Sequence, residues 1–132
     1  GMGGYRLMVY CISIRQPHIS RILMGEKPIE YRSWRSAPKL RGWIALHASL
    51  KVDWECVDDD ELDLVWPIGG ILGIAYLHDA ELVGEKEVHI HLNGAKWLPE
   101  PIRYTGKLGF FPVTGDALTS LKRQAKKLGV KL

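Results

Sequence analysis

Gly25-Glu26-Lys27-Pro28-Ile29-Glu30-Tyr31-Arg32-Ser33-Trp34-Arg35 is the stretch on which the fold of this chain turns. It alternates like a strand, yet it carries a lysine, two arginines, two glutamates and a tryptophan, a load that a strand buried on both faces does not tolerate. If Pro28 to Trp34 is extended, Glu30, Arg32 and Trp34 share one face while Ile29 and Tyr31 take the other. Same-face neighbours lie about 6–7 Å apart, within reach of long side chains, so Lys27 at the strand mouth, Glu30 and Arg32 are expected to form one charge network around a small anionic or polar ligand. The plain alternative is a solvated edge strand with surface ion pairs.

Upstream, Leu7 to Ile14 alternates β-branched and apolar residues and reads as a first strand ending at Arg15-Gln16. Pro17 then takes its favoured place at the start of a short helix, whose stripe is Ile19, Ile22 and Leu23 and whose stop is Gly25. Downstream, Trp43 to Ser49 reads as a strand with Trp43, Ala45, His47 and Ser49 on one face. Asp53 to Leu64 reads as an acidic, poorly amphipathic helix or loop. Ile71 to Leu82 is a strand whose small Gly73 and Ala75 suit the close approach of a backbone or ligand. Val88 to Leu92 reads as a strand running into an Asn93-Gly94 turn, and Lys107 to Val113 as another. From Asp116 a helix buries Leu118, Leu121, Ala125 and Leu128, shows Lys122, Arg123, Lys126 and Lys127 outside, and stops at Gly129. Strands dominate, helices stand at both ends and no βαβ repeat is visible, so the fold class is α+β with a small β-barrel rather than a doubly wound sheet.

The 132 residues, 46% of them hydrophobic, suit one core, with a single domain over 5–132. Gly1 before Met2 reads as a tag remnant, and 1–4 as that remnant plus a disordered N-terminus. The net charge is +3, and Arg15, Arg21, Lys27, Arg32, Arg35, Lys39 and Arg41 cluster within 27 residues while acidic residues gather in Asp53 to Asp63. Such a split predicts one positive face, which suits a polyanionic partner without demanding one. The basic outer face of the last helix, Lys122 to Lys127, is either simply solvated or able to track the phosphate backbone of an RNA. Cys11 and Cys56 show neither metal spacing nor a disulfide pattern, and no apolar run approaches the roughly 18 residues of a membrane span. A cytoplasmic location with no membrane contact is expected, and neither a metal nor a cofactor.

Among single residues, Ser13 sits two positions from Arg15 on one strand, so both reach the same cleft, where the Ser13 hydroxyl is either a structural hydrogen-bonder or a nucleophile. His18 either caps the helix in solvent or contacts phosphate. His89 and His91 share a face if extended, but no third ligand is evident for a metal. Trp43, Trp54, Trp66 and Trp97 are read as core, leaving Trp34 as the ring inside the charged motif that stacks on a base.

Ser13-Ile14-Arg15-Gln16-Pro17, the short helix, Gly25-x-Lys27-x-x-Glu30-x-Arg32-Ser33-Trp34-Arg35, Gly42-x-x-x-x-His47-Ala48-Ser49 and Lys107-Leu108-Gly109-Phe110-Phe111 together resemble the ASCH family (activating signal cointegrator homology), over most of the chain. The resemblance implies a PUA-like β-barrel with the GxKxxExR motif lining a cleft that binds RNA or a nucleotide. It also implies two hydrolytic alternatives, an amidohydrolase acting on N4-acetylcytidine and a ribonuclease. The amidohydrolase relatives pair the lysine with a threonine at the position of Glu30 and with a later glutamate. Here Lys27 is kept and the threonine is not. The reading that follows is a cleft of Ser13, Arg15, Lys27, Glu30 and Arg32, with Trp34, binding RNA or a modified nucleoside. Its enzymatic rival makes Lys27 the base and Glu30 the residue that polarises water, and a third reading is a protein-interaction module.

Overall fold

The computed structural model describes residues 8–132, so Leu7 and the expected remnant at 1–4 lie outside it. The elements are β1 (Tyr10–Gln16), α1 (His18–Leu23), β2 (Ile29–Arg32), β3 (Gly42–Val52), β4 (Gly70–Leu82), β5 (Val88–Arg103), β6 (Phe110–Pro112) and α2 (Gly115–Lys127). All six strands form one sheet in the order β2-β5-β4-β3-β1-β6. Every pairing is antiparallel except β1 with β3, which run side by side in the same direction.

Alternate residues of the central strands serve two cores. Ile12 and Ile14 of β1, Ile44 and Leu46 of β3, Leu77 of β4 and Ile90 of β5 pack with Ile19, Ile22 and Leu23 of α1. Cys11, Ala45, Ile71 and Ile74 turn to the opposite face and pack with Leu121 and Ala125 of α2. Strands covered on both faces need apolar residues at successive positions, and this is why β3 and β4 read as nearly unbroken apolar runs. Helix α1 lies tight against β4 because Gly73 carries no side chain: a Cβ there would stand 2.5 Å from the Lys96 carbonyl and collide with Leu23. The start of α1 is fixed by Gln16, a fully buried residue whose Oε1 accepts from the Ser20 N–H at 3.2 Å and whose Nε2 donates to the Pro67 carbonyl at 2.9 Å.

The Asn93-Gly94 pair does not end a strand. β5 runs 16 residues straight through it. Tyr76 pairs with Asn93 and Ile74 with Lys96, so β5 carries one extra residue opposite β4, and Gly94 at φ 62 supplies the left-handed conformation of a bulge. A hairpin needs the chain to reverse, whereas here both flanks of Gly94 pair with the same neighbour. Pro99 and Pro101 are tolerated later in β5 because β2 pairs with it only as far as His91, leaving that side without a ladder. The strand expected over Lys107 to Val113 is confined to β6, with Lys107 and Leu108 in the loop before it, and the acidic 53–64 stretch forms two 3-10 turns, Trp54–Cys56 and Asp59–Glu61.

The sheet curls without closing. β2 and β1 are separated by three strands in the sheet order, yet the Arg32 guanidinium donates to the Ser13 carbonyl at 3.0 Å. A side chain, not a ladder of main-chain bonds, therefore bridges the two ends, and the expected barrel is an open one with a seam between β2 and β1.

Candidate functional site

A cleft of about 1620 Å³ opens at that seam. β1 contributes Ser13 and Arg15, α1 contributes His18, Lys27 precedes β2 with its Glu30 and Arg32, β3 contributes His47 and Lys51, and the 103–108 segment contributes Arg103, Tyr104, Gly106 and Lys107. Glu30 and Arg32 pair in register with Ile90 and Val88, both core residues, so the charged strand turns its functional face toward the interior rather than to water.

Two hydrogen-bond systems organise the cleft. The first centres on Glu30, which is only 6% exposed, with Oε2 3.3 Å from the Arg32 guanidinium and Oε1 3.6 Å from Lys27 Nζ. A buried carboxylate between two cations is satisfied in place and holds both at fixed positions. Lys27 Nζ also lies 3.1 Å from His18 Nδ1, and His18 Nε2 lies 3.1 Å from an Asp53 carboxylate oxygen. An ammonium only donates and a carboxylate only accepts, so the ring accepts at Nδ1 and donates at Nε2. The Cys56 thiol donates to the same Asp53 oxygen at 3.4 Å. The hydrogen bond from His18, aided by that from Cys56, holds the Asp53 carboxyl below its usual range, and the carboxylate in turn pushes the Cys56 thiol up.

The second system joins β1 to β3. Ser13 and His47 are direct partners in the parallel ladder, and Ser13 Oγ lies 2.9 Å from His47 Nδ1. His47 Nε2 donates to the Tyr104 carbonyl at 2.7 Å, which fixes the tautomer: Nδ1 of the neutral ring accepts, and the Ser13 hydroxyl is the donor. Burial holds the His47 pKa below its ordinary value, against the opposing pull of the Tyr104 carbonyl. Gly106 passes directly over the pair, since a Cβ there would stand 2.8 Å from His47 Cε1 and 3.0 Å from Ser13 Oγ.

Ser13, Arg15, Lys27, Glu30 and Arg32 are thus gathered in one cleft. Trp34 is not among the lining residues: β2 ends at Arg32, and the Trp34 ring packs against the core and Phe110, at 5.7 Å between centroids, with the Arg32 guanidinium over it at 5.3 Å. Of the two tyrosines that line the cleft, Tyr31 is exposed and 5.5 Å from Lys27 Nζ, whereas the Tyr104 ring stacks on Phe111 and its hydroxyl donates to the Pro112 carbonyl. His18 is half-buried and bonded on both ring nitrogens rather than solvated. His47, Asp53, Arg103 and Lys107 were not foreseen as site residues, because they lie 12 to 72 residues beyond the end of the motif in sequence; the His47-Ala48-Ser49 run was the signal that marked the first of them. Of the seven clustered cations, Arg21 is spent on the Cys56 carbonyl and on Glu61, both at 2.9 Å, pinning the acidic turns.

His89 and His91 engage Glu87 and Glu81 at 2.7 and 3.0 Å, and belong to no group of metal donors among the described residues. The donors near the cleft that converge closely enough to share an ion are those of His18, Asp53 and Cys56, and their closeness is accounted for by the hydrogen bonds they make to one another. Among the described residues no helix is long and apolar enough to cross a membrane.

No protein-family model and no curated protein sequence matches the chain. Solved structures do match. ASCH from Zymomonas mobilis superposes with a TM-score of 0.60 at 15% sequence identity, over 86% of this chain and 93% of that one. A tyrosine-to-phenylalanine variant of the same protein gives a TM-score of 0.61 at 14% identity, over 87% and 96% of the two chains. A serine-to-alanine variant gives 0.60 at 15%, over 86% and 94%. With six strands, two helices and near-complete coverage of those structures, this chain carries the ASCH fold.

Proposed function

We propose that the chain binds single-stranded RNA through the seam cleft. The observation that carries this reading is the charge of the lining. Arg15, Lys27, Arg32, Lys51, Arg103 and Lys107 face only Glu30 and Asp53, six cations against two carboxylates, a surplus of four. The whole chain has a net charge of +3, so the surface outside the cleft is close to neutral and the cleft holds the entire excess. A concave surface of one sign concentrates a polyanion where a scattered charge would not.

Size favours a chain over a lone nucleoside. At about 1620 Å³ the cleft exceeds the roughly 300–1,000 Å³ of a small-molecule pocket. In this reading Arg15, Lys51, Arg103 and Lys107 take phosphates, Tyr31 is the stacking ring, and Lys27 and Arg32 reach a phosphate or a base carbonyl. Glu30 is internal scaffolding that sets the two cations, since both its oxygens are already engaged.

The test is fluorescence anisotropy with a labelled oligouridylate of about eight nucleotides, a length within the range one small binding fold covers. Arg103→Ala combined with Lys107→Ala is expected to weaken binding by more than tenfold, while Lys122→Ala on the far helix leaves it unchanged, at a cost of about 1.4 kcal/mol or more for the double change. Equal affinity for all three proteins would overturn the assignment.

A further inference from the structure

We propose that Ser13 is a nucleophile for acyl transfer with His47 as its general base, acting on an acyl ester of a phosphate-bearing alcohol such as an O-acylated nucleotide. The choice of a phosphate-bearing leaving group rests on the reading of the cleft as an anion site; the nucleophile does not. Four features of the geometry support it. Ser13 Oγ is 2.9 Å from His47 Nδ1, and that ring nitrogen is its sole side-chain partner among the described residues. The Tyr104 carbonyl, 2.7 Å from Nε2, locks the ring so that the nitrogen facing the hydroxyl is the one with a free lone pair. The pair is held by two adjacent strands in direct register, so its spacing does not depend on a loop. Finally, Ser13 lines the cleft half-buried beside the Gly106 backbone while His47 is only 2% exposed, so substrate would approach the pair from the Ser13 side.

In the reaction so assigned, Ser13 Oγ bonds to the acyl carbonyl carbon as its proton passes to His47 Nδ1. The bond from that carbon to the alcohol oxygen breaks, and the alcohol leaves with the proton from His47, leaving an ester on Ser13. Water then adds to this ester, its proton going to Nδ1. The Oγ–carbon bond breaks, Oγ recovers the proton, and the carboxylic acid departs. The imidazolium formed at each stage keeps its Nε2–H on the Tyr104 carbonyl. Arg32, already bonded to the Ser13 carbonyl at 3.0 Å, and Arg15, two residues along β1, supply the positive field for the phosphate of the leaving group.

Incubation with an alkyl fluorophosphonate, followed by intact-mass and peptide-mapping mass spectrometry, reads the nucleophile directly. One adduct on Ser13 is expected for the native chain and none for Ser13→Ala, with labelling slowed at least about a hundredfold in His47→Gln. Circular dichroism melts of both variants establish that they are folded. Absence of the adduct on folded native protein, an adduct on another residue, or a rate indifferent to His47→Gln would each overturn the proposal. Oligouridylate binding by the same native preparation separates the two readings: binding without the adduct removes the nucleophile and keeps the RNA site. The adduct without binding keeps the nucleophile and overturns the phosphate-bearing leaving group. Hydrolysis of 2′(3′)-O-acetyl adenosine monophosphate is expected to exceed that of O-acetyl adenosine by about tenfold, the worth of one charge-assisted hydrogen bond; equal rates overturn the substrate class.

Discussion

Raising salt from 50 to 200 mM should weaken oligouridylate binding by about fiftyfold, and the figure follows from four side chains. Arg15, Lys51, Arg103 and Lys107 line the cleft with no carboxylate within ion-pair distance among the described residues, whereas Lys27 and Arg32 are shared with Glu30. Each phosphate neutralised on a single strand contributes about −0.7 to the slope of log K against log salt, so four cations give about −2.8, which over a fourfold salt range is a factor of about 50. Arg103→Ala removes one contact, flattening the slope to about −2.1 and the loss to about eighteenfold. Anisotropy titrations at four potassium chloride concentrations measure both slopes. A native slope shallower than about −1 would refute the reasoning, since it would mean that the cations are not where the phosphates sit. A slope unmoved by Arg103→Ala would remove that residue from the contact.

Glu30→Gln frees Lys27 and Arg32 from their shared carboxylate, so it should steepen the salt slope by up to about 0.7. It should also lower stability by about 1–3 kcal/mol, because two charged side chains, each still about a fifth exposed, lose an acceptor; an unchanged urea midpoint would show that the pair contributes nothing. Gly73→Ala should cost several kcal/mol or prevent folding, since its Cβ would stand 2.5 Å from the Lys96 carbonyl under Leu23, and a melting temperature equal to that of the native chain would contradict the close seating of α1. For pH, the folded-state pKa of His47 is depressed by burial below the unfolded value of about 6.5, so the unfolded chain binds the proton more readily. Its contribution to stability is full above that value and is lost as pH falls below it. The urea midpoint should therefore drop between pH 8 and pH 5 more in the native chain than in His47→Gln, and parallel curves would show that His47 is not buried neutral.

The motif Gly25 to Arg35 was legible because its chemistry is local. Charged residues at alternating positions after a Gly-stopped helix have few uses, and the extended conformation of four residues suffices to line up Glu30 and Arg32. The alternation stops with β2 at Arg32, and beyond it the chain turns the Trp34 ring against Phe110, which side-chain periodicity alone does not record. Asn93-Gly94 misled for a related reason. A glycine at positive φ serves a turn and a bulge equally, and only the partner strand distinguishes them.

The amino-acid pattern by itself determined that the chain is a mainly β structure with a helix near each end, that a charged strand follows the first helix, and that basic residues concentrate around it. These are properties of neighbours in sequence, fixed by side-chain periodicity and by glycine and proline conformations. The tertiary structure decided the rest. The parallel register of β1 on β3 sets Ser13 against His47 across 34 residues, and the curl of the sheet carries Arg32 to Ser13. The end of β5 and the segment after it add Arg103 and Lys107 to the same cleft. Such placements depend on strand pairing and bulges summed over the whole sheet, and no local pattern records which strands will meet or where the seam will be left open.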